Sequence, residues 1–328
     1  PRPHDTSSTP PCGRGPLDPY TPVYRKRHPA SSRVRYQTAA AFRPALEDRL
    51  KERSRRDGAL LARLRKQVAF DRLLARLLRV APDQWALKGG FALQLRMAGR
   101  ARTTRDIDLA WQVQEDELLE RLIEATIQDL GDFFSFQVER TTADPDRMGG
   151  AHRFRVQASL AGRLFETFLM DVGEGDGVTV SQPEALTTPD LLAFAGIEPV
   201  TVPVIPLTRQ VAEKLHAYTR RYEGGRVSSR PKDLVDLALV AQLFSLDAAR
   251  LLLDLREVFA SRGTHELPSD LPSPPAEWRV PYRQLAIEVG LDTDLNAGHT
   301  AAAGMLDSLL QGNVQSGAWN PQAQRWDG

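Results

Sequence analysis

The sequence predicts an α/β fold, in which a small mixed β-sheet flanked by helices is followed by a helical lobe. Three observations carry that reading. Leucines at helical spacing run from Leu46 to Leu78, and a strand, a Gly-Gly turn and a helix succeed one another between Trp85 and Leu95. Four further segments with strand character fall between Thr104 and Val172, and beyond residue 206 the chain returns to helical periodicity. At 328 residues there is length for one large unit or two lobes, with ample core.

Residues 1–40 combine prolines with Ser, Thr and Arg and show no apolar period, as expected of a disordered segment. Helical patterning begins near Pro44 and continues to Arg79. Trp85-Ala86-Leu87 reads as a short buried strand entering Lys88-Gly89-Gly90, after which Phe91 to Leu95 open a short helix. A strand is expected at 104–111, a helix at 115–130, and strands at 133–140, 152–160 and 164–172. Pro183, Pro189, Pro199, Pro203 and Pro206 then punctuate a connecting stretch. Two helices at 207–222 and 230–260, a proline-rich surface loop at 263–281, a helical stretch near 299–311 and a tail with Trp319 and Trp326 complete the chain. The expected division is a disordered basic leader at 1–43, a core with its N-terminal helices at 44–205 and a helical lobe at 206–328.

A hydrophobic content of 41% and a charged content of 26% are ordinary for a globular chain. No run approaches the ~20 apolar residues of a membrane span, so membrane insertion is not expected. The N-terminus lacks the apolar stretch of a secretory signal, and the single cysteine, Cys12, leaves no part for disulfides, which fits a reducing cytoplasm. The net charge of +1 hides an asymmetry: residues 1–66 carry 16 basic against 6 acidic residues, and the remainder 27 against 36. A basic arm of that kind suits a polyanion such as RNA, and is equally compatible with a solvated leader. Of the 43 basic residues only six are lysine, and Lys88, Lys214 and Lys232 fall in the motifs that follow.

Residues two apart on a strand face one side, so Asp106 and Asp108 project together while Ile107 and Leu109 pack inward. Two such carboxylates repel each other unless a divalent cation lies between them, and Mg²⁺ accepts carboxylate oxygens, waters and phosphates. Gly89 and Gly90 stand between a strand and a helix, where backbone N–H groups can approach a phosphate; an ordinary tight turn reads the same way. Asp171, near the end of its strand, is a candidate third carboxylate or a turn cap, with Glu166 as the second option. Lys214 and Arg221, seven apart, share a helix face, although a lysine flanked by Val211 and Leu215 can also snorkel. Arg230, Lys232, Asp233 and Asp236 cluster near a helix N-terminus, where acids are favoured even without a function.

These segments resemble the nucleotidyltransferase toxins of the AbiEii/AbiGii type, the MenT toxins among them. Lys88-Gly89-Gly90-x-x-Leu93-x-Leu95 and Arg102-x-Thr104-x-Asp106-Ile107-Asp108-Leu109 resemble the family's first motif. Lys214-Leu215-x-Ala217-x-x-x-Arg221 is similar to its lysine-bearing helix, and Arg230-x-Lys232-Asp233-x-x-Asp236-Leu237 to its final signature. The likeness spans about 85–240, with order and spacing in agreement. It departs from the wider superfamily in having Gly-Gly where Gly-Ser is usual and in the long gap to Asp106, and the basic leader has no counterpart in it.

The resemblance implies a polymerase-β-like core, a nucleoside triphosphate (NTP) as co-substrate, Mg²⁺ or Mn²⁺ as cofactor, and transfer of a nucleoside monophosphate. In some members the acceptor is the 3′ end of tRNA, and a cognate antitoxin is the expected partner. It implies that Asp106 and Asp108, with Asp171, hold the metal. Lys88, Gly89, Gly90, Arg102, Thr104, Arg221 and Asp236 would contact the nucleotide, with Arg105 a further candidate for phosphate. Lys214 would neutralise the departing pyrophosphate, with Asp233 orienting it. A small-molecule or protein acceptor, or a non-catalytic module that binds RNA or a cation, are the rival expectations.

Overall fold

The computed structural model describes residues 35–97, 100–112, 115–141, 152–174, 182–220 and 230–328. The first helix, α1 (Ala39–Asp57), starts ahead of Pro44. Proline is favoured in a first turn, which is why the pattern places the start there. The Thr38 hydroxyl instead accepts from the Ala41 N–H at 3.3 Å and caps a turn whose Phe42 is fully buried, so residues 39–43 belong to the fold rather than to a disordered leader.

Helix α2 (Leu61–Val80) is buried along most of its length. On it, Arg76 is 0% exposed and donates to both oxygens of Asp132, at 2.9 and 2.8 Å, and to the Phe134 carbonyl at 2.8 Å. This ion pair fastens α2 to the turn before the third strand.

The strands are β1 (Trp85–Lys88), β2 (Asp106–Trp111), β3 (Phe134–Arg140), β4 (His152–Leu160), β5 (Arg163–Glu174), β6 (Glu184–Thr187) and β7 (Thr201–Val204). They form one sheet in the order β3-β4-β5-β2-β1-β7-β6. β2 runs parallel to β5 and β1 to β7, whereas the other pairings are antiparallel. Helices α3 (Gly89–Met97) and α4 (Glu115–Ile127) follow β1 and β2.

The β6–β7 hairpin corrects the reading of 183–206 as a connecting stretch. The Thr188 N–H to Val200 carbonyl bond, 2.9 Å, makes alternate pairs the hydrogen-bonded ones. Pro203, opposite Ala185, falls in the non-bonded class, so its missing N–H costs nothing on that side.

The second half is helical: α5 (Leu207–Thr219), α6 (Pro231–Leu243), α7 (Ala248–Arg262), α8 (Arg279–Val289) and α9 (Leu295–Leu310). The single helix expected over 230–260 is two, because the Asp247 side chain accepts from the Arg250 N–H at 2.7 Å and caps a fresh start. Pro281 sits in the first turn of α8, where a proline is tolerated, and so a helix begins inside the stretch expected to be loop. The tail forms a hairpin, β8 (Ala318–Asn320) with β9 (Arg325–Asp327), and the fully buried Trp319 donates to the Ala241 carbonyl at 2.7 Å.

One apolar cluster lies between α1, α2 and the sheet, and a second fills the helical half. Helix α3 serves both, with Phe91 and Ala92 in the first and Leu93 and Met97 in the second. Among the described residues no helix is long and apolar enough to cross a membrane.

Replacing Asp132 by Ala would leave the Arg76 guanidinium buried without its counter-ion. Urea unfolding should show a loss of about 3–5 kcal/mol. A loss below about 1 kcal/mol would show that the backbone carbonyls alone suffice.

Candidate active site

The site is built on the middle of the sheet. Ile107 and Leu109 of β2 are 0% exposed, and by strand alternation Asp106 and Asp108 share the opposite face. Asp108 is level with Lys88 on β1 and Asp171 on β5, and Asp171 is level with Arg153 on β4. Residues opposite one another across strands share a face, so a charged row crosses the sheet with two carboxylates between two cations: Lys88, Asp108, Asp171, Arg153. Arg153 clasps Asp171 with two hydrogen bonds, Nε to Oδ1 at 2.8 Å and Nη2 to Oδ2 at 3.2 Å. A Cβ on Gly173 would stand 3.2 Å from Lys88 Nζ, so the lysine reaches across β2 toward β5.

Gly89 has φ +67° and lies against the Asp108 carboxylate, which a Cβ there would strike. A Cβ on Gly90 would stand 2.7 Å from Thr104 Oγ1. The turn thus lets backbone approach the acidic pair more closely than any other residue would allow. Thr104 Oγ1 donates to the Asp106 carbonyl at 3.1 Å, and Gln94 of α3 holds the Arg102 carbonyl at 2.8 Å.

From the helical half, Lys214 on α5 donates to Asp236 Oδ2 on α6 at 2.5 Å and stands 3.5 Å from Asp233 Oδ1. Arg102 reaches the same Asp236 carboxylate, Nε at 3.1 Å and Nη2 at 3.0 Å, and Arg230 lies 3.0 Å from Asp233. Burial favours the neutral form of Asp236, but Lys214 and Arg102 overcome it and hold the carboxyl below its usual range. Arg102 likewise gains more from Asp236 than burial takes away, and its pKa is raised. Burial, followed by the neighbouring Arg230, pushes Lys232 down to about 8. Glu213 on α5 is held low against its burial chiefly by Lys88.

The residues expected from the sequence thus come together from β1, β2, β5, α3, α5 and α6. Glu166 does not join them: it faces Ala158 on the core side of β5 and bonds Lys66 of α2 at 2.9 Å. Arg105 is exposed, and Arg221 lies outside the described residues. Asp236, 1% exposed, sits behind Lys214 and Arg102 rather than on an open surface. Arg153, Glu213, Arg96 and Gln210 were not singled out by sequence. The alternation of β4 puts Arg153 opposite Phe154 and Val156, but its place beside Asp171 depends on a register that a bulge alters.

The family model for the AbiEii nucleotidyl transferase toxin of type IV toxin–antitoxin systems matches residues 72–308. Among solved structures, MenT4, a nucleotidyltransferase toxin from Mycobacterium tuberculosis, aligns at 19% identity and a TM-score of 0.47, covering 86% of this chain and 100% of its own. JHP933 from Helicobacter pylori aligns at 16% identity and a TM-score of 0.41, covering 76% and 93%. No curated protein sequence matches the chain.

The depressed Asp236 pKa has a pH signature. Its ionised form contributes stability that is fully present above the usual value of 3.8 and is lost as pH falls through the lower folded-state value. Asp236→Asn should therefore be less stable at pH 7 and lose less on further acidification below about pH 4. Parallel acid limbs for the two proteins in circular dichroism would contradict the assignment.

Proposed function

The chain belongs to the AbiEii nucleotidyltransferase toxin family of type IV toxin–antitoxin systems, and from that premise we propose that it transfers a nucleoside monophosphate from an NTP to RNA, at the 3′ end of tRNA, on the sheet face bearing Asp106 and Asp108. The observation that carries this reading is the packing of the Asp108 carboxylate on the Gly89 backbone, which brings an acidic pair and a helix-initiating turn to one spot. An NTP calls on both: backbone N–H groups would take its phosphates, and the carboxylates would hold its divalent cation.

NTP and a divalent cation accompany this chemistry, and the oxygen donors fit Mg²⁺, or Mn²⁺ in its place. Mg²⁺ takes one or two carboxylates and keeps waters and phosphate oxygens. Asp106 and Asp108 would supply the two; Asp171, level with Asp108, is the expected third carboxylate, and both its oxygens accept from Arg153. Among the described residues no group of three or more His, Cys, Asp or Glu is placed to hold an ion, so the fit rests on the Asp106 and Asp108 pair. When bound, the cation draws charge from the triphosphate oxygens and makes the α-phosphorus more open to attack.

The chain's own groups position and neutralise. Gly89, Gly90 and Thr104 bind the β- and γ-phosphates, with Lys88, Arg102 and Arg221 as further nucleotide contacts. The acceptor hydroxyl attacks the α-phosphorus in line, a new phosphoester bond forms and the bond to pyrophosphate breaks. Lys214 neutralises the pyrophosphate as it leaves, held in place by Asp233 and Asp236. The basic charge of residues 1–66 supports an RNA acceptor through counterion release. A reaction on an NTP and tRNA would run in the cytoplasm, with the cognate antitoxin that the family implies as the restraining partner.

Incubating the protein with total RNA, Mg²⁺ and each labelled triphosphate in turn should label a tRNA-sized band. Asp106→Ala should reduce that label at least about a hundredfold and Arg105→Ala about tenfold at most, since preorganised charge at the reacting phosphate outweighs one exposed cation. Full labelling by Asp106→Ala would refute the site, and label on a small molecule or protein would replace the acceptor.

A further inference from the structure

Away from the carboxylates, polar groups run in a chain from the β6–β7 hairpin to the Gly89 peptide, partly exposed at Glu184 and buried at Arg96 and Gln210. Glu184 on β6 accepts from Arg96 Nη2 at 2.7 Å and from the N–H of Leu207, where α5 begins, at 3.1 Å. Arg96, on α3, also donates to the Ile205 carbonyl at 2.6 Å and to Gln210 Oε1 at 2.9 Å. Gln210, 2% exposed and one turn before Lys214 on α5, donates from Nε2 to the Gly89 carbonyl at 2.5 Å. A guanidinium has donors only, so Arg96 fixes which end of the Gln210 amide is oxygen and leaves the NH₂ group for Gly89.

The C=O and N–H of a trans peptide point in opposite directions. Holding the Gly89 carbonyl toward α5 therefore aims the Gly90 N–H away from α5. Gly90 lies in the first turn of α3, where N–H groups have no partner within the helix. From this geometry we infer that Gln210, locked by Arg96, is a positioning residue for the nucleotide's phosphates. It sets the orientation of the Gly89–Gly90 peptide and, because it shares α5 with Lys214, ties the placement of the phosphate turn to that of the lysine. The inference rests on the functional reading above. It adds two residues outside every motif that carries the family resemblance, Gln210 and Arg96, which act through Gly89 rather than on the substrate.

Gln210→Glu keeps the shape but turns a carboxylate toward the Gly89 carbonyl, and Gln210→Met keeps the length without a donor. Each is titrated, with Mg²⁺ present, with the NTP that the parent transfers and with the corresponding monophosphate. Triphosphate affinity should fall about tenfold or more while monophosphate affinity stays within about twofold. The KM for NTP should rise with it while the KM for the acceptor holds, a split that general destabilisation does not produce. Equal weakening of both nucleotides, or unchanged triphosphate affinity in a folded variant, overturns the inference. Should both variants melt well below the parent, Arg96→Lys, which keeps a cation for Glu184 without the planar fork that orients Gln210, is judged by the same criteria. A parent that neither binds nor transfers any NTP would sink the functional reading and this inference with it. An active parent with indifferent variants sinks this inference alone.

Discussion

The Asp236 carboxylate lies 1% exposed where three parts of the chain meet: its own helix α6, Lys214 from α5, and Arg102 from the segment leading into β2. A buried carboxylate is costly unless cations and donors surround it, and removing either partner leaves a charge stranded. The three groups must therefore stay together, and keeping them together fixes α5 and α6 against the sheet. Other placements follow from that one. Arg102 is held at its carbonyl by Gln94 of α3, α3 starts at Gly89, and Gly89 lies against Asp108. The lysine of the helical half is thereby held in register with the aspartates of the sheet by one shared counter-ion.

The row from Lys88 to Arg153 does the corresponding work inside the sheet. Two carboxylates on neighbouring strands would raise each other's energy, yet cations at both ends of the row offset that repulsion. The row is thus balanced in charge, with Lys88 and Arg153 at its margins. Lys232 belongs to the helical half, where burial, followed by Arg230, lowers its pKa to about 8.

Much of this could be read from sequence where a local signal coincides with a global need. The alternation at Asp106–Leu109 fixes a face without knowledge of the partner strands, and the Gly-Gly turn marks close approach because only glycine permits it. Where register or tertiary pairing decides, the sequence falls short. Counting back from the Ala161-Gly162 turn would put Arg153 opposite Met170, on the core face. The register shift at Ala158/Ser159 moves it by one, opposite Asp171. The prolines of 183–206 conceal a hairpin because their cost depends on which edge each N–H would face. Gln210 and Arg96 carry no local signature at all, since their partners lie 88 to 121 residues away. The Asp247 cap, by contrast, has the composition of a helix start and is hidden only by the apolar run around it.

The bond between Arg102 and Asp236 spans 134 residues, and that between Gln210 and Gly89 spans 121. Loop closure over such distances costs chain entropy before any contact offsets it, so structures built on non-local pairings fold slowly and cooperatively. Of these two long-range contacts, the first joins charged groups and the second neutral ones. A partly folded chain, one in which α6 has not yet docked, leaves Lys214 and Arg102 without their anchor. The arrangement of Lys214 and Arg102 about Asp236 is thus complete only when the fold is.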